Sequence, residues 1–490
     1  MMVANIVGKF FKSRSRKSRT TRVFRHAVAP VMEPLGEIVL LSATYEYDVP
    51  AGHSAVYLER LNGFPGRVDV YLDNPITGTV GHHFTDPTGL DIIRSADAGA
   101  TLVDQVPAAF KPTGGIKYEG ASGNTFEIDL GPTDQNVEVG GAIPNTSPIA
   151  YDPTKILSTD ASDPNNVVVS LDQIGGSITT LKIVTGINST GTADGGTRVQ
   201  VFTIVPTVHL NIDTGSATYS NVILGGGENA SITGAEVHTG AGHSAVTVTA
   251  QDSNDVDGIT TATVYEGTGT GNSLIVGAGG VATLTNPGAT LAEDSVTVQS
   301  GGTLTVAGAA AINTLDVQTG GIGTIAAPST IQAVTVNGTI VVAAQTTIGT
   351  ATGAGLLQFT AAGNGSTSGS VTSTGTVEVD TGAAITITGP STLNLLTGNG
   401  TTDFTPTSGS SAIGTVTAGT GTVQVDRGAN ILIQGASTIG TLTGRGTTEF
   451  GINSGDSIVS TINAITGTVI VDTGAKVSTV NASTVGTYKI

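Results

Sequence analysis

Cysteine and tryptophan are both absent from the 490-residue chain, which holds only 11 Phe and 9 Tyr. Without cysteine the chain can form no disulfide, present no thiol nucleophile and build no cysteine-based zinc site. With so few aromatic side chains, a core has to be filled mainly by valine, isoleucine, leucine and alanine. That composition suits a thin, layered core.

Basic residues are scarce outside the amino-terminal segment. Eight of the 20 Lys and Arg residues precede Glu33, the first acidic residue, and the rest of the chain holds 12 basic and 38 acidic residues. A body of that charge repels phosphate backbones and anionic lipids, which argues against nucleic acid as a partner. No apolar run approaches the roughly 18 residues of a membrane-spanning helix, so we expect no transmembrane segment.

Residues 1–43 are predicted to form a basic tail that ends in a short motif. The longest apolar run near the motif, residues 38–41, is shorter than the ~7–15-residue apolar region of a secretory signal peptide. Residues 32–43, MEPLGEIVLLSA, resemble the LEPR-XLL motif of large, repetitive bacterial surface proteins, particularly those of planctomycetes. Leu35, Leu40, Leu41 and Ser42 match the motif, whereas Gly36 and Ile38 replace its Glu and Arg. The resemblance implies export to the cell surface.

Two sequence periods dominate the carboxy-terminal half. A Ser-Thr-hydrophobic motif, degenerate in one copy, begins at positions 391, 414, 437, 460 and 483, which keep a constant 23-residue step. Alternate copies are more alike, which gives a 46-residue step. Farther upstream, similar runs begin at Val296, Leu315 and Val334, which keep a 19-residue step.

These periods predict a parallel β-solenoid over residues 216–490, with 19- and 23-residue rungs. Each unit contains short runs of alternating apolar residues between Gly, Asn or Asp, and it can bury its apolar face only by stacking on its neighbours. A disordered low-complexity tract would have no reason to keep a constant step. The prediction places certain residues: Val377, Val423 and Val469 in one inward stack, Glu378 and Gln424 toward solvent, and Phe404 and Phe450 inward, two rungs apart.

Residues 44–215 show strand-like runs without a fixed period. Examples are residues 55–58, 68–72 and 199–202, which are rich in Val, Leu, Tyr and Phe. This region is predicted to be a β-rich domain, either a sandwich or an irregular start of the solenoid, so the whole chain is placed in the all-β class.

A search for catalytic motifs assigns no catalytic residue. The hexapeptide Ala-Gly-His-Ser-Ala-Val occurs at residues 51–56 and 241–246, and Gly-His-Ser invites comparison with the nucleophile elbow Gly-x-Ser-x-Gly. Val56 and Val246 replace the final glycine, so Ser54 and Ser244 are interpreted as parts of equivalent strand entries. The His82-His83 pair is interpreted as a solvated loop feature.

Acidic residues offer one candidate metal site. Asp252, Asp255 and Asp257 lie in one loop that ends in Gly258, and calcium prefers such oxygen ligands, although the spacing differs from that of an EF-hand. A polar turn is the alternative interpretation. The recurring Asp380, Asp426 and Asp472 each occupy a Val-Asp-x-Gly corner, where an Asx turn accounts for the aspartate.

The sequence as a whole favours an exported structural or adhesive protein that is not an enzyme. Its expected partners are cell-envelope components, polysaccharide or other surface proteins. One alternative is a carbohydrate-active β-helix enzyme, a polysaccharide lyase or glycosidase, which would need two carboxylates ~5–10 Å apart. Another is an ice-binding or other flat-face binding solenoid. Thr386, Thr415 and Thr441 are not whole rungs apart, so no regular threonine face is expected.

The carboxy-terminal end is expected to self-associate or to be covered. Its last apolar residues are Val480, Val485, Tyr488 and Ile490. A bare solenoid end exposes unpaired backbone groups over an apolar cross-section. We therefore expect a partner, a second copy of the chain or further sequence to cover it, which allows end-to-end assembly.

Overall fold

The computed structural model describes residues 31–35, 38–42, 44–60, 68–73, 79–84, 89–106, 115–129, 135–140, 152–160, 169–185, 197–215, 219–225, 232–240, 242–250, 259–265, 271–285, 295–406 and 408–489. These ranges are almost entirely β-strand and contain no α-helix; a short 3₁₀ helix lies at Ala361–Gly363. The all-β class and the parallel solenoid predicted from the sequence are both confirmed.

The amino-terminal strands are short and joined by irregular connections. They are β1 Val31–Leu35, β2 Ile38–Ser42, β3 Thr44–Asp48, β4 Ala55–Arg60, β5 Val68–Leu72, β6 Thr79–Phe84, β7 Leu90–Ser95, β8 Thr101–Asp104, β9 Ile116–Gly120, β10 Thr125–Asp129, β11 Gln135–Val139, β12 Lys155–Asp160 and β13 Val169–Gly176.

The middle strands alternate between two ladders. They are β14 Thr180–Val184, β15 Thr197–Val201, β16 His209–Asp213, β17 Tyr219–Leu224, β18 Ala235–His238, β19 His243–Val248, β20 Thr260–Tyr265, β21 Ser273–Val276, β22 Gly280–Thr285, β23 Ser295–Val298 and β24 Thr303–Val306.

Several of the carboxy-terminal strands are long enough to bend around a corner and serve more than one ladder. They are β25 Ala310–Val317, β26 Ile322–Ile325, β27 Ser329–Val336, β28 Thr339–Val342, β29 Thr346–Gly353, β30 Leu356–Phe359, β31 Ser366–Val379, β32 Ala384–Ile387, β33 Thr392–Thr397, β34 Thr401–Phe404, β35 Ser411–Val425, β36 Asn430–Ile433, β37 Thr438–Gly444, β38 Thr447–Phe450, β39 Asp456–Val471 and β40 Lys476–Lys489.

Three parallel ladders form the faces of the solenoid. Face 1 begins at β4 and continues through β8, β10, β14 and the even-numbered strands to β30. Face 2 begins at β11, continues through the odd-numbered strands from β15 to β23, and enters the second half of β25. Face 3 begins with the first half of β25 and continues through β27, β29, β31, β32 and β34. All three ladders reach β40.

The amino-terminal region forms an irregular start of the solenoid. A short parallel ladder of β3, β7, β9 and β13 accompanies face 1 there. Antiparallel excursions leave the parallel pattern at β5–β6 and at β12. Faces 1 and 2 both pass residue 215 with parallel pairing on either side. The domain division placed at that residue stays a prediction. The LEPR-XLL-like segment forms a separate antiparallel hairpin, β1–β2.

Alternating residues in the strands fill the core. Val377, Val423 and Val469 are at most 1% exposed, and Phe404 and Phe450 are fully buried. Glu378 and Gln424 lie between inward residues and are partly exposed, as predicted. The period-2 alternation therefore identified the inward side of each run correctly.

The 23-residue rung predicted from the sequence is wrong. The 19-residue step is confirmed, because Val296 pairs with Leu315 and Leu315 with Val334. In the carboxy-terminal part, however, Thr386 pairs with Asp403 and Asp403 pairs with Gln424. These two steps are unequal, and both are shorter than the 23-residue period. The 23-residue period is thus a repeat of the sequence alone. The length of a rung is the number of residues that the chain needs to pass once through the three faces.

The 46-residue repeat moves from one face to the next. Val377 pairs on face 1 with Leu396, Val423 on face 3 with Leu442, and Val469 on face 2 with Thr448. The three valines therefore do not form the single stack that was predicted. Each turn of the solenoid contributes one strand segment to each of the three faces. From one valine to the next the chain advances by seven segments, which is two full turns plus one face. Phe404 on face 3 and Phe450 on face 2 follow the same rule.

A buried serine hydroxyl stabilises a corner in several carboxy-terminal rungs. Ser437 Oγ donates a hydrogen bond to the carbonyl of Gly435 at 2.8 Å and accepts one from the backbone N–H of Val416, one rung earlier, at 2.9 Å. Ser391 makes the equivalent pair of bonds. Both serines open the repeated Ser-Thr-hydrophobic motif, so the motif marks a corner that joins two rungs.

Candidate functional site

Residues 295–377 form a part of the solenoid that is almost free of charge, and they are called the neutral segment here. Asp316 is the only charged residue between positions 295 and 377, in a chain with a net charge of −18. The segment covers β23 to the body of β31 and contributes to all three faces. Its outward positions are occupied mainly by threonine, with serine, alanine, valine and glutamine.

Threonines form outward columns on every face of the solenoid near this segment. Each column spans four consecutive rungs with a strand spacing of about 4.8 Å, and its members are partly or fully exposed. The columns are Thr263, Thr283, Thr305 and Thr324 on face 1; Thr335, Thr352, Thr372 and Thr392 on face 2; and Thr330, Thr347, Thr367 and Thr386 on face 3.

The regular columns correct the expectation that no threonine face forms. That expectation compared Thr386, Thr415 and Thr441, which the register places on different faces or columns. On face 1, Thr303 and Thr305 lie two residues apart on one strand, about 6.6 Å across the face. The neighbouring rungs carry Val281 with Thr283 and Ile322 with Thr324. Hydroxyls and methyl-bearing side chains therefore lie side by side on this part of face 1.

A groove of about 490 Å³ opens on face 3 within the neutral segment. Ala309, Ala311 and Gly365 contribute small groups to its lining, whereas Gln345 and Pro328 are larger. The exposed Thr330 and Thr347 also line it. No charged side chain is among the lining residues.

Two aspartates on the carboxy-terminal part of the solenoid form the arrangement closest to a pair of catalytic carboxylates. Burial, and then the charge of Asp426, raise the pKa of Asp403 to about 6, although a hydrogen bond from Gln424 opposes the shift. Asp403 Oδ1 is buried and finds no hydrogen-bond partner among the described residues. Asp426 accepts a hydrogen bond from Gln424 Nε2 at 3.1 Å. A half-buried acid with a raised pKa beside a second carboxylate can exchange a proton with a ligand.

A second group of carboxylates lies in the amino-terminal excursion. Glu59, Asp69 and His83 are directly opposite one another on β4, β5 and β6. Asp69 is buried, and its Oδ1 lies 2.5 Å from His83 Nδ1. Burial and the charge of Asp69 raise the pKa of Glu59. Because the aspartate is buried and contacts His83, this row is an internal contact of the excursion rather than an open site.

The two adjacent histidines lie on strand β6 rather than in the loop expected from the sequence; His82 is partly buried, whereas His83 is exposed, as expected. Both contact neighbouring side chains. His82 stacks on Tyr47 with ring centroids 5.0 Å apart and meets Phe84 edge-on at 4.7 Å. Burial, and then the charge of His83, lower the pKa of His82.

Arg94 organises an ion-pair ladder across β3, β7 and β9. Its guanidinium donates two hydrogen bonds to Glu46, at 2.6 and 2.9 Å, and one to Glu119 at 2.6 Å. Lys117 contacts Glu119 at 2.6 Å as well. The hydrogen bonds to Glu46 and Glu119 raise the pKa of Arg94. The depression of about 420 Å³ beside Arg94 is therefore lined by a cation that is already neutralised by the protein.

The two identical hexapeptides both lead into strands, but they are not the equivalent entries that were predicted, because β4 belongs to face 1 and β19 to face 2. Strand β4 begins at Ala55 and β19 at His243. The backbone N–H of Ser54 donates to Asp73 Oδ1 at 3.2 Å, and His53 Nδ1 lies 2.7 Å from Asp73 Oδ2. Ser244 is buried, and its hydroxyl lies 2.9 Å from that of Ser220.

The predicted calcium ligands Asp252, Asp255 and Asp257 lie outside the described residues, so the calcium site stays a prediction. Among the residues that are described, no group of three or more acidic or histidine side chains is arranged to hold a metal ion.

The recurring aspartates lie in backbone turns rather than in the Asx turns predicted for them. The carbonyls of Asp380, Asp426 and Asp472 each accept the N–H three residues on, at 2.9 Å. The intervening glycines 382, 428 and 474 have φ between +87° and +98°. That φ is the conformation the third residue of a type II turn requires. The Asp380 carboxylate accepts hydrogen bonds from Gln358 Nε2 at 3.1 and 3.3 Å instead of from the backbone of its own turn.

Sequence reasoning missed the neutral segment and the groove. The long interval without charge is visible in the sequence and could have signalled the segment. The groove depends on unequal rung lengths, which no fixed period shows. No family model, curated protein or solved structure matches the chain. Within the described ranges, no helix has the length and hydropathy of a membrane span.

Proposed function

We propose that the protein is an exported structural or adhesive solenoid that contacts cell-envelope components, polysaccharide or other surface proteins through its outer faces. The observation that supports this most directly is the neutral segment, which presents threonine columns on three faces of an otherwise acidic chain. An acidic body repels other anionic surfaces, whereas an uncharged region can approach them without desolvating ions. Export is supported by the LEPR-XLL-like segment at residues 32–43.

Location is the first test of this proposal. Intact producing cells would be treated with protease, with a tag fused to the carboxy terminus and a cytoplasmic protein as the internal control. Loss of the tag while the cytoplasmic protein survives is the expected result. Protection of the tag until the cells are lysed would overturn the proposed function.

Adhesion is the second test, with charge as the perturbation. Beads coated with the purified protein should adhere to envelope material of the producing cells. Three glutamates in the neutral segment should weaken adhesion, because they restore like-charge repulsion and add a desolvation cost. Three glutamates at exposed threonines elsewhere should have a much smaller effect. The test variant carries Thr305→Glu, Thr347→Glu and Thr352→Glu, and the control carries Thr417→Glu, Thr420→Glu and Thr438→Glu. Equal losses would remove the neutral segment from the proposal.

A second candidate function is binding of a regular surface, such as ice, by a flat face of the solenoid. The threonine columns of face 1 favour it. A surface grid of about 4.8 by 6.6 Å presents Thr303, Thr305 and Thr324 without charge. Ice binding would produce a gap between melting and freezing temperatures in a solution of the purified protein. Thr305→Glu would abolish that gap, and Thr347→Glu on face 3 would leave it. The absence of any gap at hundreds of micromolar protein would eliminate this candidate.

A further inference from the structure

The groove on face 3 runs across successive rungs, along the solenoid axis. Its lining comes from β25, β27, β29, β31 and the corners beside them. Thr330, Thr347 and Thr367 occupy one outward column in consecutive rungs. With about 4.8 Å between strands, these rungs offer hydroxyls over a length that an extended chain can follow. The groove volume of about 490 Å³ lies in the usual range of about 300–1,000 Å³ for ligand sites.

The polar groups of the groove are neutral and held by one another. Thr367 Oγ1 donates to Thr347 Oγ1 at 3.4 Å, and Gln345 Nε2 donates to the carbonyl of Gly365 at 3.3 Å. The hydroxyl and amide groups are therefore positioned before a ligand arrives, which lowers the entropic cost of binding. One rung before Thr330, at the amino-terminal end of the groove, Ala309 and Ala311 offer methyl groups that can contact the apolar side of a ligand.

The electrostatics of the groove limit what can occupy it. No lining side chain is charged, so an anionic ligand would meet no cation, in a chain of net charge −18. A cationic ligand would meet no carboxylate in the groove. A neutral ligand with many hydroxyls can exchange its hydrogen bonds to water for bonds to threonine and glutamine without desolvating an ion.

From this geometry we infer that the groove binds a short stretch of an uncharged polysaccharide that lies along the solenoid axis. The inference names the ligand class of the adhesive surface and rests on the proposed function. Repeated hydroxyls along such a chain match repeated hydroxyls along the column, and the Ala methyls pack against the C–H face of the sugar rings. Acidic polysaccharide is the competing occupant that the charge argues against.

Affinity electrophoresis of the purified full chain tests this inference. Native gels would contain hydroxyethyl cellulose, galactomannan or mixed-linkage β-glucan as neutral probes, and alginate or polygalacturonate as acidic probes. We expect retardation by at least one neutral probe and none by the acidic probes. Thr347→Glu should weaken that retardation at least tenfold in apparent affinity, and Thr417→Glu, at an exposed threonine outside the groove, should leave it unchanged.

Three outcomes would overturn the inference: no retardation by any neutral probe, stronger retardation by an acidic probe, or equal losses in the two variants. Thermal unfolding midpoints of both variants, measured by circular dichroism, show that Thr347→Glu has folded. A surface-exposed, adhesive protein that ignores all neutral probes would leave the proposed function standing and remove only the groove. A protein that binds a neutral probe but stays inside the cell would do the reverse.

Discussion

Replacing Phe450 with alanine measures how far one rung depends on its neighbours. Phe450 is fully buried on face 2 and pairs with Ile433 in the rung before and with Val471 in the rung after. Truncating a buried phenylalanine costs about 3–5 kcal/mol. The upper part of that range applies here, because parallel ladders on both sides hold the backbone and prevent the cavity from collapsing. A solenoid transmits the loss mainly to adjacent rungs.

Hydrogen exchange read by mass spectrometry locates this loss. Amides in β36, β38 and the end of β39 should lose protection by roughly 100-fold or more, since every 1.4 kcal/mol is tenfold. Amides in β23 to β28 should be unchanged. Glu449→Ala, at the outward neighbour, is the control and should stay within about 0.5 kcal/mol of the parent. An equal loss of protection across residues 295–489 would refute the quasi-one-dimensional account of the fold.

Three further substitutions test the turns, the corners and the acidic pair. Gly428 has φ +89°, and a Cβ added there would meet open space. Gly428→Ala should therefore lower the free energy of unfolding by about 1–2 kcal/mol through backbone conformation alone. Gly419→Ala, also in open space but without a positive φ, is the control and should be neutral in urea unfolding. Ser437→Ala removes the acceptor of a buried backbone N–H and should cost about 1–3 kcal/mol, with the exposed Thr438→Ala as control; equal midpoints for the two would contradict the corner account. The folded-state pKa of Asp403 is raised to about 6 from an ordinary 3.8, so its ionisation destabilises the fold as pH rises through that window. Asp403→Asn should therefore raise the melting temperature at pH 7, by the equivalent of less than about 1 kcal/mol for a half-exposed group, and change nothing at pH 3; calorimetry showing the same shift at both pH values would reject this assignment.

The inward side of each strand could be predicted from the sequence because burial follows a local rule. Val423 and Val425 flank Gln424, and no long-range information is needed to orient them. The 19-residue step was also readable, because Val296, Leu315 and Val334 occupy the same face in consecutive rungs. There the sequence repeat and the structural rung coincide.

The length of the carboxy-terminal rungs could not be predicted from the sequence repeat. The repeat length reflects duplication of a segment of sequence, whereas the rung length is the number of residues that completes one turn through the three faces. Runs of the form Val-x-Val fit any of the three faces equally well, since glycine and asparagine corners accept each of them. The groove was hidden for a related reason. Thr347 is nearer in sequence to Thr330 than to Thr367, although it pairs with both, so no constant step could have aligned their hydroxyls.

The rotation of the 46-residue repeat also separates the parts of the solenoid by role. Asp380 follows a face 1 segment, Asp426 a face 3 segment and Asp472 a face 2 segment. Each copy of the repeat therefore places its acidic corner on a different edge, although threonines 401, 422, 441 and 461 still align in consecutive rungs of face 3. Residues 378–490 hold seven acidic and four basic residues, so these corners add only a weak negative charge around the edges. Threonine columns occur in both parts, and those of the neutral segment lie where Asp316 is the only charged residue. A ligand that needs regular spacing without neighbouring charge would find it in residues 295–377, and we propose that the repeats beyond them extend the scaffold.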